Sequence, residues 1–442
     1  WSEGQKFAED MNLYLGLPYD GRHFKELHDL GYLPMRVKAL PEGIETVANI
    51  PHQTFVNTVD GFAWLPLYLE TIISSLAWKP ATSATIALRY RRNAEEWVKK
   101  TDPDNAWLIP FMCHDFAGRG LDPHTMLSSG LGHAVAFRGS DEMIVIPGAR
   151  YFYDEPENEV CINSVPASEH SVSTTEIFTV GEQQMISDYL TRFPNGILSI
   201  VSDTFDLFKL ITEYLPNLKE QIMGRDGKLV VRPDSGDPVD IICGYKSYSK
   251  SDYGWFKLWE EEGETQSKQV SEPECKGVIE LLWDIFGGTV NKQGFKVLDP
   301  HIGAIYGDSI TLERQVEIYK RLAAKGFAST NIVLGVGSFT YQFNTRDTFG
   351  FAAKGAWFEV RNDDGSKSSY AIYKDPVTDD GTKKSLKGLQ SVWKDPDGDY
   401  HVTSDCNWEM EEKGELQVIF EDGKFFNQTT LTEIRKRIDS LV

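Results

Sequence analysis

The 442-residue chain is 41% hydrophobic and 25% charged, which supplies apolar surface for two or three packed cores and excludes disorder as the default state. Its 45 basic and 66 acidic residues leave a formal charge of −21, a field that repels nucleic-acid backbones and anionic bilayers. Nucleic acid and membrane are therefore excluded as partners. An anionic substrate has to be held by a few basic side chains and backbone N–H donors gathered in a cleft.

Cys113, Cys161, Cys243, Cys275 and Cys406 form no CxxC pair, and their odd number argues against a disulfide-bonded secreted protein, so a cytoplasmic location is expected. No apolar run reaches the roughly 18 residues needed to cross a bilayer. WSEGQKFAED has neither a basic region nor an apolar core of a signal peptide. The opening Trp1 suggests that the chain starts partway into a longer polypeptide.

Residues 1–110 mix helical stretches with β-prone runs such as LPMRVKALPEG and are expected to form the N-terminal part of an α/β domain. From 111 to 338, short apolar runs alternate with amphipathic helices, the pattern of parallel strands joined by crossovers; a β/α barrel carrying the active site is expected there. Its runs end alike: ILSIVSD on Asp203, KLVVRPD on Asp234, HIGAIYGD on Asp308 and NIVLGVGS on Ser338. Polar residues at strand ends mark the catalytic rim of such a barrel. Leu312, Val316, Tyr319, Leu322 and Ala323 recur at helical spacing, with Gly326 as the stop. The polar, acidic stretch 244–275 has little periodicity and is expected to be a surface excursion. Residues 339–442 carry NDDG, DDG, DPDG and EDG turns between aromatic strands, read as hairpins completing the α/β domain begun at the N-terminus.

Within the barrel, MCHDFAGRG places Cys113 and His114 side by side. On a strand, consecutive side chains face opposite ways, so they cannot meet as nucleophile and base. Phe116 offers an aromatic face to a planar heterocycle, and Arg119 a cation to phosphate. SVPASEH sets Glu169 and His170 after an apolar run, with no second histidine at zinc-ligand spacing. In VRPDSGDP, Arg232 can stack on a ring or hold phosphate, and Asp234 can accept from ribose hydroxyls; a structural Arg–Asp pair is the plainer alternative. Gly335, Gly337 and Ser338, with Gly307 to Ser309, form small-residue loops that let backbone N–H groups approach a phosphate, or simply tight turns. LGVGSFT is not a dinucleotide fingerprint, because Thr340 stands where a third glycine would. Arg346 and Lys354 follow and can supply charge, or are ordinary solvated helix residues.

In this order HDFAGRG, FRGSDE, SVPASEHS, VSDTFD, VVRPDSGDP, YGDS, GVGS, TRD and YKDP resemble the nicotinamide phosphoribosyltransferase family over nearly the whole chain. The resemblance implies an irregular β/α barrel of the type II phosphoribosyltransferase kind beside a second α/β domain built from both chain ends. It implies a homodimer with shared active sites, joining nicotinamide to phosphoribosyl pyrophosphate in NAD salvage, with Mg²⁺ carried by pyrophosphate and ATP as a coupling activator. Position by position, Phe116 and Arg232 match ring-stacking residues and Asp141 the acceptor of the carboxamide N–H. His170 matches the active-site histidine that can be phosphorylated during ATP-coupled turnover. Arg119, Arg346, Lys354 and Lys374 match phosphate or pyrophosphate ligands, and Gly337 and Ser338 the product-phosphate loop. Asp234 and Asp308 match ribose-diol contacts, and Asp203 a carboxylate near the magnesium–pyrophosphate region. One departure stands out: members begin with an Asp-Ser-Tyr-Lys strand whose tyrosine completes the ring sandwich in the neighbouring subunit, and nothing like it lies near Trp1.

The rivals are a nicotinate phosphoribosyltransferase, a non-catalytic nucleotide-binding relative, and a glycosidase using two rim aspartates. Asp141 speaks against the first, since it would repel nicotinate's carboxylate. The glycine loops and rim arginines speak against the last.

Overall fold

The computed structural model describes residues 1–378 and 384–442. They form two compact units, one from residues 79–345 with 438–442 and the other from 1–78 with 346–437.

In the first of these, short runs rich in β-branched residues become six strands: β1 (Cys113–Phe116), β2 (Gly139–Ser140), β3 (Asn195–Val201), β4 (Asp226–Arg232), β5 (Ile302–Tyr306) and β6 (Ile332–Gly337). They lie in the order β2-β1-β6-β5-β4-β3, and every pairing is parallel. Parallel neighbours need long crossovers, and the helices supply them. All five residues of β5 are buried, as expected of a strand covered on both faces.

Those six strands make a half-barrel with two edges, β2 and β3. The irregular segment 163–168 runs between the edges and bonds to both. Asn163 bridges Gly139, and Ala167 bridges Ser199. Ser140 N donates to Asn163 O at 3.1 Å, Ser168 N to Ser199 O at 2.9 Å, and Ser199 N to Pro166 O at 2.9 Å. Pro166 has no N–H to give, so the segment stitches the edges together without becoming a regular strand. The irregular β/α barrel expected from the sequence is thus present.

The helix Leu312–Ala324 starts at Thr311, whose side chain accepts from Arg314 N. It buries Gln315, Ile318, Tyr319 and Leu322, whereas Val316 faces out, 37% exposed. The inward stripe is therefore rotated from the one the apolar pattern suggested, because Gln315 turns inward to donate to Tyr90 O at 3.0 Å. The excursion at 244–275 lies at the surface but is regular: Tyr248–Ser251, Gly254–Glu261 and Glu264–Val270 form an antiparallel sheet. With little of either face buried, no alternating stripe is written into its sequence.

In the other unit both chain ends share one antiparallel sheet, with Met35–Ala39 pairing to Gln53–Asn57 on one side and to Gln417–Glu421 on the other. Met35, Phe62 and Leu65 form one small core, and Leu40, Val392 and Leu416 another. The NDDG, DPDG and EDG turns close hairpins as expected; the DDG turn at 379–381 lies outside the described residues. All five cysteines are free. No helix among the described residues is long and apolar enough to cross a membrane.

Lys38 and Glu411 are both buried in this unit, with Lys38 Nζ 2.9 Å from Glu411 Oε1. Removing Glu411 leaves the buried Lys38 charge with only the longer contact to the half-exposed Glu412, whose Oε2 lies 3.7 Å away. Glu411→Ala should therefore destabilise the unit by about 3 kcal/mol, read as a lower urea midpoint; a loss under about 1 kcal/mol would show that water reaches Lys38.

Candidate active site

The strand ends of β3 and β4 place three ionisable side chains within mutual reach. His170 opens the helix His170–Val180 directly after the stitching segment, and Glu169 caps that helix by accepting from Ser171 N and Val172 N. His170 Nε2 donates to Asp234 Oδ2 at 2.9 Å. Asp203 Oδ2 accepts from Asp234 N at 3.0 Å, Ser235 N at 2.8 Å and Ser235 Oγ at 2.5 Å, so the PDS turn is folded onto this carboxylate. Its Oδ1 is buried and has no partner. One ligand atom from each of His170, Asp203 and Asp234 lies within 4.8 Å of the others.

Arg232, at the end of β4, donates through Nη2 to Ser168 O at 2.5 Å, while its buried Nε has no partner. Burial lowers its pKa, the charges of Asp234, Asp141 and Asp203 oppose that shift, and Arg119 adds to it. Arg232 is thus set among three carboxylates rather than paired with one.

Across the rim, Asp141 follows β2. Its Oδ1 accepts from Ser164 Oγ at 2.5 Å and from His114 Nε2 at 2.9 Å. Burial raises the Asp141 pKa, but the His114 and Ser164 bonds and the Arg232 charge outweigh it and hold the carboxylate below its ordinary range. The His114 ring stacks on Phe116 at 4.6 Å between centroids. β1 alternates as expected: Cys113 and Asp115 are buried, His114 and Phe116 half-buried. Burial pushes the Cys113 thiol far above its usual range, which rules it out as a nucleophile.

Two glycines are required by close approach. A Cβ on Gly337 would lie 2.0 Å from Asp308 Oδ1, and one on Gly118 would lie 2.1 Å from Glu142 Oε2. The loop after β6 is therefore seated on the Asp308 carboxylate, and Ser338 begins the helix Ser338–Gln342 there. Gly307 lies against Asp234, where a Cβ would meet that residue's Cβ at 3.0 Å.

The barrel unit thus brings His170, Asp203, Arg232, Asp234 and Asp308 together at adjoining strand ends, with Asp141 and Phe116 across the same rim. Arg119 is exposed on the turn after β1, and no described residue bonds it. Arg346, Lys354 and Lys374 belong to the other unit. There Arg346 bonds Asp347 through Nη2 at 3.0 Å, Lys354 is exposed, and Lys374 is tied by its backbone N–H to Ser385 Oγ. Sequence reasoning gave no role to Ser164, Ser168 and Ser235, and considered His114 only as a base for Cys113. His114 and the two serines of SVPASEH lay in strings already singled out; strand-end serines beside carboxylates were the available signal.

The sequence profile of the nicotinate phosphoribosyltransferase (NAPRTase) family matches residues 111–424, the greater part of the chain. The chain belongs to this family. As a member of the nicotinate phosphoribosyltransferase family, it is 41% identical over 428 residues to the nicotinamide phosphoribosyltransferase of Acinetobacter baylyi, covering 94% of this chain and 78% of that protein. It is 30% identical to the enzyme of the same name from Xanthomonas campestris pv. campestris, covering 96% of this chain and 83% of that one. For that of Mycoplasma pneumoniae the identity is 33%, with 84% and 73% covered. The fold is similar to that of nicotinate-nucleotide pyrophosphorylase from Pyrococcus furiosus, with a TM-score of 0.52 at 16% identity over 94% of this chain and 82% of that one.

Behind Phe116 the buried Asp115 accepts from Ala117 N at 2.9 Å. Burial, against that bond and together with repulsion from Glu142 and Asp141, raises its pKa from 3.8 to about 8. Its contribution to stability is then fully present below about pH 4 and is lost as pH rises through about 8. Asp115→Asn keeps the acceptor for Ala117 and removes the proton. The parent should lose stability between about pH 4 and about pH 8 relative to the variant; parallel denaturation curves would reject the buried, protonated carboxyl.

Proposed function

We propose that the protein is a nicotinamide phosphoribosyltransferase, joining nicotinamide to phosphoribosyl pyrophosphate and releasing pyrophosphate, a step of NAD salvage. The observation that carries this reading is Asp141. Its carboxylate is held ionised by His114 and Ser164, so at neutral pH it accepts hydrogen bonds and donates none. A carboxamide N–H meets that acceptor, whereas a second carboxylate is repelled. The names of the three relatives point the same way.

The chemistry is displacement of pyrophosphate from the ribose C1 by the pyridine nitrogen through an oxocarbenium-like state, with no protein nucleophile. Phe116 and Arg232 flank the ring, while Asp234 and Asp308 accept from the ribose hydroxyls. Holding both substrates in line converts a bimolecular step into a unimolecular one. Arg119, Gly337 and Ser338 take the phosphates.

The unpartnered buried oxygen of Asp203, beside Asp234, would suit a hard cation such as the Mg²⁺ carried by phosphoribosyl pyrophosphate better than the His170 nitrogen would. When bound, it neutralises charge on the leaving group. His170, held by Asp234 at the rim, is the group through which ATP couples to turnover. A cytoplasmic homodimer with shared sites completes the reading, supported by the free cysteines and the family resemblance.

The test is to incubate the protein with phosphoribosyl pyrophosphate, Mg²⁺ and either nicotinamide or nicotinate, and to identify the mononucleotide formed. Nicotinamide mononucleotide is expected; product from nicotinate alone would reassign the substrate, and no product would leave a nucleotide-binding relative. Asp141→Asn, which can donate to a carboxylate, should lose at least about tenfold of the preference for nicotinamide, the worth of one hydrogen bond to a charged group. An unchanged preference would remove Asp141 as the discriminator.

His170→Ala should cut turnover by about a hundredfold or more, the scale of a positioned proton-transfer or coupling group, while the melting temperature stays near that of the parent. Full turnover in a folded variant would eliminate the active-site role.

A further inference from the structure

The turn Phe116–Arg119 carries the ring-facing aromatic and a phosphate-facing cation, and its backbone is anchored at Ala117, which is fully buried in the core. Ala117 has helical backbone angles, and the three-residue turn Gly118–Gly120 follows. The N–H groups of Ala117 and Gly118 are both taken by buried carboxyls. Ala117 N donates to Asp115 Oδ1 at 2.9 Å, and Gly118 N donates to Glu142 Oε1 at 2.6 Å.

Glu142 is only 8% exposed. It enters the barrel directly after Asp141, with its own N–H given to Ser140 Oγ at 3.0 Å. The carboxylate lies flat on Gly118, where a Cβ would meet Oε2 at 2.1 Å. Nothing in the reaction proposed above uses it. Burying a carboxyl is costly unless it is bonded, and the bond this one makes is to the turn.

We infer that Glu142 is a positioning residue, its carboxylate fixing the Phe116–Arg119 turn through Gly118 N–H so that the ring face and the phosphate cation stand ready before substrate arrives. It also ties that turn to Asp141, one residue earlier in the chain, so the acceptor and the stacking face are set by one rigid corner. Burial, opposed by the Gly118 bond, raises the Glu142 pKa, and the carbonyl oxygen of a protonated carboxyl would still accept from Gly118.

The inference rests on the nicotinamide phosphoribosyltransferase reading, and the parent enzyme's product tests that reading separately from the variants. Glu142→Gln keeps an acceptor of the same reach; Glu142→Ala removes it. In the Ala variant, KM should rise on the order of tenfold or more for nicotinamide and for phosphoribosyl pyrophosphate, as expected from misplacing groups that touch both. At saturation kcat should stay within about threefold, because His170 and Asp234 are held by other elements of the rim. The Gln variant should recover most of the loss in KM. A folded Ala variant with parental KM values overturns the proposal, as does a Gln variant as impaired as Ala. Should Glu142→Ala fail to fold, Gly118→Ala decides, since its Cβ would displace the carboxylate: raised KM values there with near-parental values in Glu142→Gln support the role, and any other pair of results overturns it.

Discussion

The geometry of the rim depends on a segment that is not a strand. Six parallel strands leave two open edges, and residues 163–168 bond one edge through Asn163 and the other through Ala167. Pro166 denies the segment a continuous ladder, so its side chains need not alternate as a strand's would. Ser164 reaches Asp141 on one side, the Ser168 carbonyl holds Arg232 on the other, and His170 emerges at the helix that follows. A regular strand here would close the barrel but could not serve both sides of the rim within seven residues.

A chain with a charge of −21 has to bind two anionic groups, and its rim carries more carboxylates than cations. The arrangement handles this by occupying the carboxylates. Asp203 spends one oxygen on the PDS turn, Asp141 accepts from a histidine and a serine, and Asp234 is bonded to His170. Arg232 sits among them with its Nε unpartnered, so cationic donor capacity remains even where acidic groups outnumber it. Glycine supplies the rest: where Gly337 meets Asp308, no side chain separates backbone from carboxylate.

Much of this was legible in the sequence because parallel strands buried on both faces are written as unbroken apolar runs, and a polar residue that ends such a run marks the rim. Asp203, Arg232, Asp234 and Asp308 were found that way, whereas the turn-rich C-terminal stretch pointed to hairpins and not to the sheet that both chain ends share. What was hidden is non-local. His114 and Asp141 meet across 27 residues only because β1 and β2 are neighbours, and no spacing rule announces that. The bridging of both edges by SVPAS needs the whole strand order. In the helix Leu312–Ala324 one inward glutamine outweighed the apolar count, since its partner, Tyr90 O, lies 225 residues away.

The surface sheet between 244 and 275 enters and leaves the barrel through two glycines whose backbones touch: a Cβ on Gly277 would lie 2.1 Å from Gly244 N. The ends of this excursion are closed by the barrel itself, and Lys257 to Asp240 at 2.9 Å is an added tether rather than the hinge. Loop entropy grows only with the logarithm of length once the ends are fixed. The stem is therefore a natural port for guest sequence: an inserted domain, an affinity handle or a shortened turn could be exchanged there while Gly244 and Gly277 hold the register of everything beneath.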